Sequence, residues 1–251
     1  MITILAEKPS VAREIARVTG AMKKEEGYYT GNGYHVTWAL GHLVQPALPD
    51  GYGFKGFRKD SLPVIPEEFM LIPRQVRTDK GYKADAAAVK QIKVITKLWQ
   101  ESEGIIVATD CAREGELIFR YLYAYTGCTL PFRRLWISSL TDAAIRKGMK
   151  ELKDGHEYDN LYLAAKARSE ADWLVGINGT HRSRRTGHIL GGARADTHTG
   201  DGLQAVPGKQ TLHAGAGTPA AFLRAVRKYG CGGEVRLGGE MAGQGRGGYA
   251  I

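Results

Sequence analysis

Residues 105–120 read IIVATDCAREGELIFR. A run of apolar, mostly β-branched residues ends at Thr109-Asp110, breaks into CAREGE and resumes with helical apolar spacing. The pattern predicts a buried strand over 104–110 and a helix over about 114–126. It delivers Asp110 to the C-terminal end of the strand, where open α/β sheets place their ligand sites. Glu114 and Glu116 then open the helix, with Arg113 before them. Carboxylates in a first helical turn can simply complement the helix dipole. They also suit one divalent cation, because Mg²⁺ takes one or two carboxylates and keeps the rest of its shell for water and phosphate.

The N-terminus repeats the arrangement. MITILAEKPSVAREIARV (1–18) predicts a strand over 2–6 that ends in Glu7-Lys8. A helix over about 9–19 follows, with Pro9 in the first turn, Ser10 as a cap and Gly20 as the stop. Were the two strands parallel neighbours, Glu7 would share a sheet edge with Asp110 and Glu114. Three carboxylates and a lysine around one point form a phosphoryl-transfer arrangement rather than surface decoration.

Between and beyond these units the elements alternate. YYTGNGYHVTWAL (28–40) predicts a hairpin turning at Gly31-Asn32-Gly33, and a Gly/Pro-rich connection covers 45–66. Helical spacing marks 84–99, a strand falls at 133–137, and helices follow at about 142–153 and 158–176. Alternating β and α elements imply an α/β fold, a mostly parallel sheet with helices on both faces.

The quoted motifs, taken together, resemble a known family. LAEKPSVA (5–12), VTWALGHL (36–43), LPVIPEEF (62–69), ATDCAREGE (108–116), RLWISSLTDAAI (134–145) and AKARSEADWLVGIN (165–178) occur in the order found in type IA DNA topoisomerases, nearest the topoisomerase III branch. The resemblance implies a Rossmann-like Toprim domain over 1–153 and the first helix of a DNA-binding helical domain over 154–179. One departure stands out: the family's acidic motif is often D-x-D-x-E, and here the middle position is Ala112.

The resemblance also implies roles. Glu7 would be the catalytic acid–base group beside the scissile phosphate, its pKa raised by crowding from Asp110 and Glu114. Lys8 would pair with the phosphate, and Asp110 and Glu114 would hold Mg²⁺. Arg113 would contact DNA phosphate or pair with the carboxylates. Glu116, by its helical spacing from Glu114 rather than by the resemblance, reads either as a further site carboxylate or as one that points away and serves the helix dipole. Arg168 and Asp172, four apart on one helix face, would lie beside the DNA groove or form a surface ion pair. His42, after Gly41 in ALGHL, reads either as adjacent to the site or, more commonly for a lone histidine after a strand, as structural, and it stays outside the catalytic set. The family's nucleophilic tyrosine belongs to a later domain, and none of the 12 tyrosines here lies in a matching motif. The implied partner is single-stranded or underwound DNA, with a helicase as a further partner and a cytoplasmic location. A metal-dependent Toprim nuclease and a non-catalytic DNA-binding or vestigial fragment are the alternatives.

Composition sets weaker bounds. Cys111, Cys128 and Cys231 show no metal-ligand spacing, so reduced thiols are expected. The apolar N-terminal stretch is too short for a secretory signal, and no apolar run would span a bilayer. Residues 1–179 hold 25 Lys and Arg against 22 Asp and Glu, while 180–251 hold 10 against 4. Most of the net +9 therefore lies outside the patterned region, and charge alone is no argument for DNA binding. Residues 180–251 carry 17 of the 33 glycines, a composition that predicts a disordered tail. A frameshift is the sharper expectation: ILGGARADTHTGDGLQA (189–205) can be back-translated so that the second-base frame spells YSVGRVQTPTLAMVCKR, which resembles the family's next motif.

Overall fold

The computed structural model describes residues 1–54, 62–79 and 81–186, with only the helical backbone described over 180–186. The expectations for the tail fall almost wholly outside these residues. In chain order the elements are β1 (Ile2–Ala6), α1 (Pro9–Thr19), β2 (Lys23–Glu25), β3 (Tyr28–Gly31), β4 (Tyr34–Trp38), β5 (Val44–Pro46), β6 (Leu71–Pro73), β7 (Gln75–Thr78), β8 (Gly81–Ala84) and α2 (Ala86–Gln100). There follow β9 (Gly104–Ala108), α3 (Arg113–Tyr125), β10 (Phe132–Arg134), α4 (Asp142–Lys150), β11 (Lys153–Asp154) and α5 (Asp159–Thr186).

Seven strands form one sheet in the order β11-β10-β9-β1-β4-β3-β2. The four central strands are parallel, with Ala6 level with Trp38 on one side and Ala108 on the other. Antiparallel strands finish both edges. The central strands read as continuous apolar runs because both faces are covered. Ile4, Ala6, Ile106 and Ala108 pack against Ala12, Ile15 and Ala16 of α1 and Ile145 of α4. Leu5, Ile105 and Val107 face the opposite way, onto Ile92 and Ile95 of α2, Leu117, Ile118, Phe119, Tyr121 and Leu122 of α3 and Ala165 of α5. Each large aliphatic side chain so buried contributes about 1.5–3 kcal/mol.

The sheet is thus the expected Toprim-like α/β arrangement, with antiparallel margins added. Local signals acted largely as read. Pro9 occupies the first turn of α1, and Gly20 caps its end at φ 82°, a left-handed conformation that favours glycine. The N-cap, however, is Lys8, without a side-chain capping bond. Ser10 is already inside the helix, because Pro9 takes the first helical position and leaves the cap to the residue before it. β11 closes one edge of the sheet, and α5 continues past Asn178 and Gly179 to Thr186. The short pairs β5–β6 and β7–β8 have no counterpart in the sequence reading. Among the described residues no helix is long and apolar enough to cross a membrane.

Candidate active site

Because β1 and β9 are hydrogen-bonded parallel neighbours ending in register at Ala6 and Ala108, Glu7 and Asp110 emerge together at one sheet edge. The Asp110 backbone N–H donates to Oε2 of Glu7 over 3.3 Å. Half-buried Glu7 has its carboxyl pKa raised, first by burial and second by the neighbouring Asp110 charge. The Asp110 N–H, Lys8 and His42 oppose the rise. The direction is the one expected, but the cause differs: burial leads, and the carboxylate that adds to it is Asp110 rather than Glu114. Asp110 and Lys8 are exposed.

Asp110 owes its position to three devices. Oγ1 of Thr109 donates to the Gly115 carbonyl at 2.7 Å, tying the loop to α3. Gly115 lets the helix approach closely, since a Cβ there would lie 2.2 Å from the Asp110 carbonyl oxygen. Arg134, 1% exposed, donates from Nη1 to the carbonyls of Val107 and Thr109 and from Nη2 to that of Asp110, at 3.1, 2.8 and 2.7 Å. Its Nε lies 3.1 Å from Oε2 of Glu116, close enough for an ion pair but outside hydrogen-bond angles.

Glu116 therefore does not merely serve the helix dipole. It is 1% exposed and accepts from Arg120 at 2.8 Å. The position i+2 from Glu114 turns it about 200° around the helix, inward rather than outward. A buried carboxylate requires a charge partner, and two arginines supply it.

Glu114 is 69% exposed and pairs with His42, whose ring is 13% exposed. His42 thus lies beside Glu114, the site-adjacent one of the two roles its sequence left open. Leu40 and Gly41 hold left-handed φ values of 51° and 70°, and this sharp turn after β4 aims the imidazole back across the sheet edge. A leucine in that region costs about 1–3 kcal/mol. Nη1 of Arg74 accordingly braces the turn, donating to the carbonyls of Leu40 and His42 at 3.2 Å each.

Arg113 is exposed on the first turn of α3, and no ion pair joins it to a carboxylate among the described residues. Arg168 and Asp172 form an exposed pair at 3.6 Å.

Among the described residues no three His, Cys, Asp or Glu side chains converge as a ready-made metal cage. The donor set nevertheless fits Mg²⁺, which needs only one or two carboxylates and prefers hard oxygen ligands. The thiol of Cys111 is turned away, donating to the Ile137 carbonyl.

Sequence reading left His42 outside the catalytic set and missed Arg134 and Arg74. The word ALGHL held a signal for His42, but only the adjacency of β4 to β1 makes it meaningful. Nothing local distinguishes Arg134 from Arg133.

DNA topoisomerase 3 of Shouchella clausii is 47% identical over 187 residues, covering 74% of this chain and 24% of that protein. DNA topoisomerase 3 of Bacillus licheniformis is 49% identical over 179 residues, covering 70% and 23%. The chain thus spans about a quarter of the length of these curated relatives. Among solved structures, full-length topoisomerase I from Thermotoga maritima aligns over 70% of this chain and 24% of its own, at 22% identity and a TM-score of 0.46. The Toprim domain family matches residues 3–140, which include both carboxylate-bearing strands and the helix after them, and the chain belongs to that family.

Proposed function

We propose that this chain supplies the acid and divalent-metal portion of a type IA DNA topoisomerase site. The observation that carries the reading is the meeting of Glu7 with Asp110 across neighbouring parallel strands, with Glu114 opening the next helix. Asp110 and Glu114 would hold Mg²⁺, which when bound supplies positive charge against a DNA phosphate. Glu7, its pKa raised, would hold a proton at its carboxyl and pass it to the departing 3′ oxygen. Lys8 would pair with a phosphate oxygen as a point charge. Arg113 and Arg168 would contact backbone phosphate, with Asp172 orienting Arg168. The attacking tyrosine would come from polypeptide matching the rest of the relatives' length. A helicase partner and a cytoplasmic setting belong to the same proposal and rest on the family resemblance.

The test uses supercoiled plasmid and a labelled single-stranded oligonucleotide. The purified chain should bind the oligonucleotide, bind more tightly with Mg²⁺, and neither relax nor nick the plasmid. The double variant D110A/E114A should lose the Mg²⁺ effect. Relaxation by the chain alone would overturn the assignment of the tyrosine elsewhere. Nicking abolished by E7Q would identify a nuclease, with water as the nucleophile. Binding indifferent to Mg²⁺ and to D110A would mark a non-catalytic fragment.

A further inference from the structure

The pair β7–β8 stands apart from the rest of the fold. It forms its own two-stranded sheet, every residue of β8 is exposed, and Val76 and Arg77 of β7 are exposed as well. Two-stranded ribbons without a buried face are marginal on their own, so this one is held at its root. Arg74 donates to Asp85 at 3.0 Å from Nε, the Asp85 N–H donates to the Arg74 carbonyl at 2.8 Å, and the Gln75 N–H donates to Gln45 at 3.1 Å. The same Arg74 braces the turn that presents His42 to Glu114. The ribbon therefore rises directly from the candidate catalytic edge.

Its register decides what it can bind. Arg77 is opposite Tyr82, and Val76 is opposite Lys83. Opposed residues share a face of the ribbon with Cβ atoms about 5 Å apart. One face therefore carries a guanidinium beside a phenol that is 62% exposed, and the other carries an ammonium beside Val76. The two large apolar residues lie on opposite faces, so no apolar patch exists for a protein partner. Residues 76–83 hold Arg77, Lys80 and Lys83 against Asp79 alone. A guanidinium beside an exposed aromatic ring, with an ammonium on the reverse face of a ribbon only two strands wide, matches a flexible polyanion with stacking bases.

We propose that the 75–84 ribbon is a contact arm for single-stranded DNA, with Tyr82 stacking on a base, Arg77 holding a phosphate beside it and Lys83 holding one where the strand passes round to the other face. This rests on the DNA-processing reading of the site and gives the strand a route to it.

The experiment measures fluorescence anisotropy of a labelled oligo(dT) and of a duplex of equal length, across a salt series, with the full chain. Y82A should weaken oligo(dT) binding by about fivefold to a hundredfold, the worth of one stacked base, while Y82F, which keeps the ring, should bind as wild type does. R77A/K83A should lower the magnitude of the log–log salt slope by about 1.4, at roughly 0.7 for each lost single-strand phosphate contact. All three positions are exposed, so circular dichroism should not change. Unchanged affinity and slope in the variants, with binding by the wild type, would overturn the ribbon and leave the site reading standing. A larger loss on duplex than on oligo(dT) would overturn the single-strand assignment. No binding by the wild type would overturn both.

Discussion

Replacing Gly115 with alanine tests the geometry of the acidic loop directly. The new Cβ would lie 2.2 Å from the Asp110 carbonyl oxygen, 2.8 Å from its nitrogen and 3.0 Å from its carbonyl carbon. Ordinary contact begins near 3.4 Å, so helix and loop must part by about 1.2 Å. The loop cannot slide freely, because Thr109 ties it to the Gly115 carbonyl and Arg134 grips the carbonyls of Thr109 and Asp110. Overpacking of this kind costs about 1–3 kcal/mol, against a helix-propensity gain of about 1 kcal/mol for Gly→Ala. The rigid loop puts the cost toward the upper end, for a net loss of about 1–2 kcal/mol. The control is Gly179→Ala in α5, where a Cβ meets nothing within 4 Å and only the propensity gain should register. Urea denaturation of both variants and Mn²⁺ binding followed by electron paramagnetic resonance provide the measurements. G115A should lose stability and bind Mn²⁺ more weakly, since a 1 Å displacement of Asp110 spoils ligand geometry. A G115A protein as stable as wild type, with the same Mn²⁺ affinity, would refute the argument.

Removing Arg134 as R134M should cost about 3–5 kcal/mol, the usual penalty for leaving a buried charge such as Glu116 short of a partner; a loss under 1 kcal/mol in chemical denaturation would contradict that. In metal-free buffer Glu7 gives a pH signature. Its folded pKa lies above the ordinary 4.5, so the fold favours the protonated acid and ionisation costs stability as pH rises past about 4.5. E7Q should therefore match wild type at lower pH and become the more stable protein toward neutrality, whereas parallel stability curves would show that Glu7 is not strained by burial. R168A should change stability by less than about 0.5 kcal/mol, because its pair with Asp172 is exposed. Any weakening of oligonucleotide binding by R168A then reports DNA contact, and a large drop in thermal midpoint would show that the pair is structural.

Features whose physics is local were legible in the residues alone. Continuous apolar runs marked the two central strands because burial on both faces leaves no polar alternation. Pro9 and Gly20 bounded α1 because each fits a backbone conformation that other residues resist. The strand-end positions of Glu7 and Asp110 followed from the same runs. The tertiary structure decided everything that depends on which elements are neighbours. His42 reaches Glu114 only because β4 pairs with β1 and a left-handed turn at Leu40 and Gly41 redirects the chain. Glu116 is buried rather than exposed because α3 packs that face against Arg134, a residue of a strand that follows it in the chain. The β7–β8 ribbon escaped notice because it buries no apolar face, and hydrophobic periodicity is the signal by which strands are read. Its anchoring depends on Arg74 and Asp85, eleven residues apart, closing an ion pair that no local pattern announces.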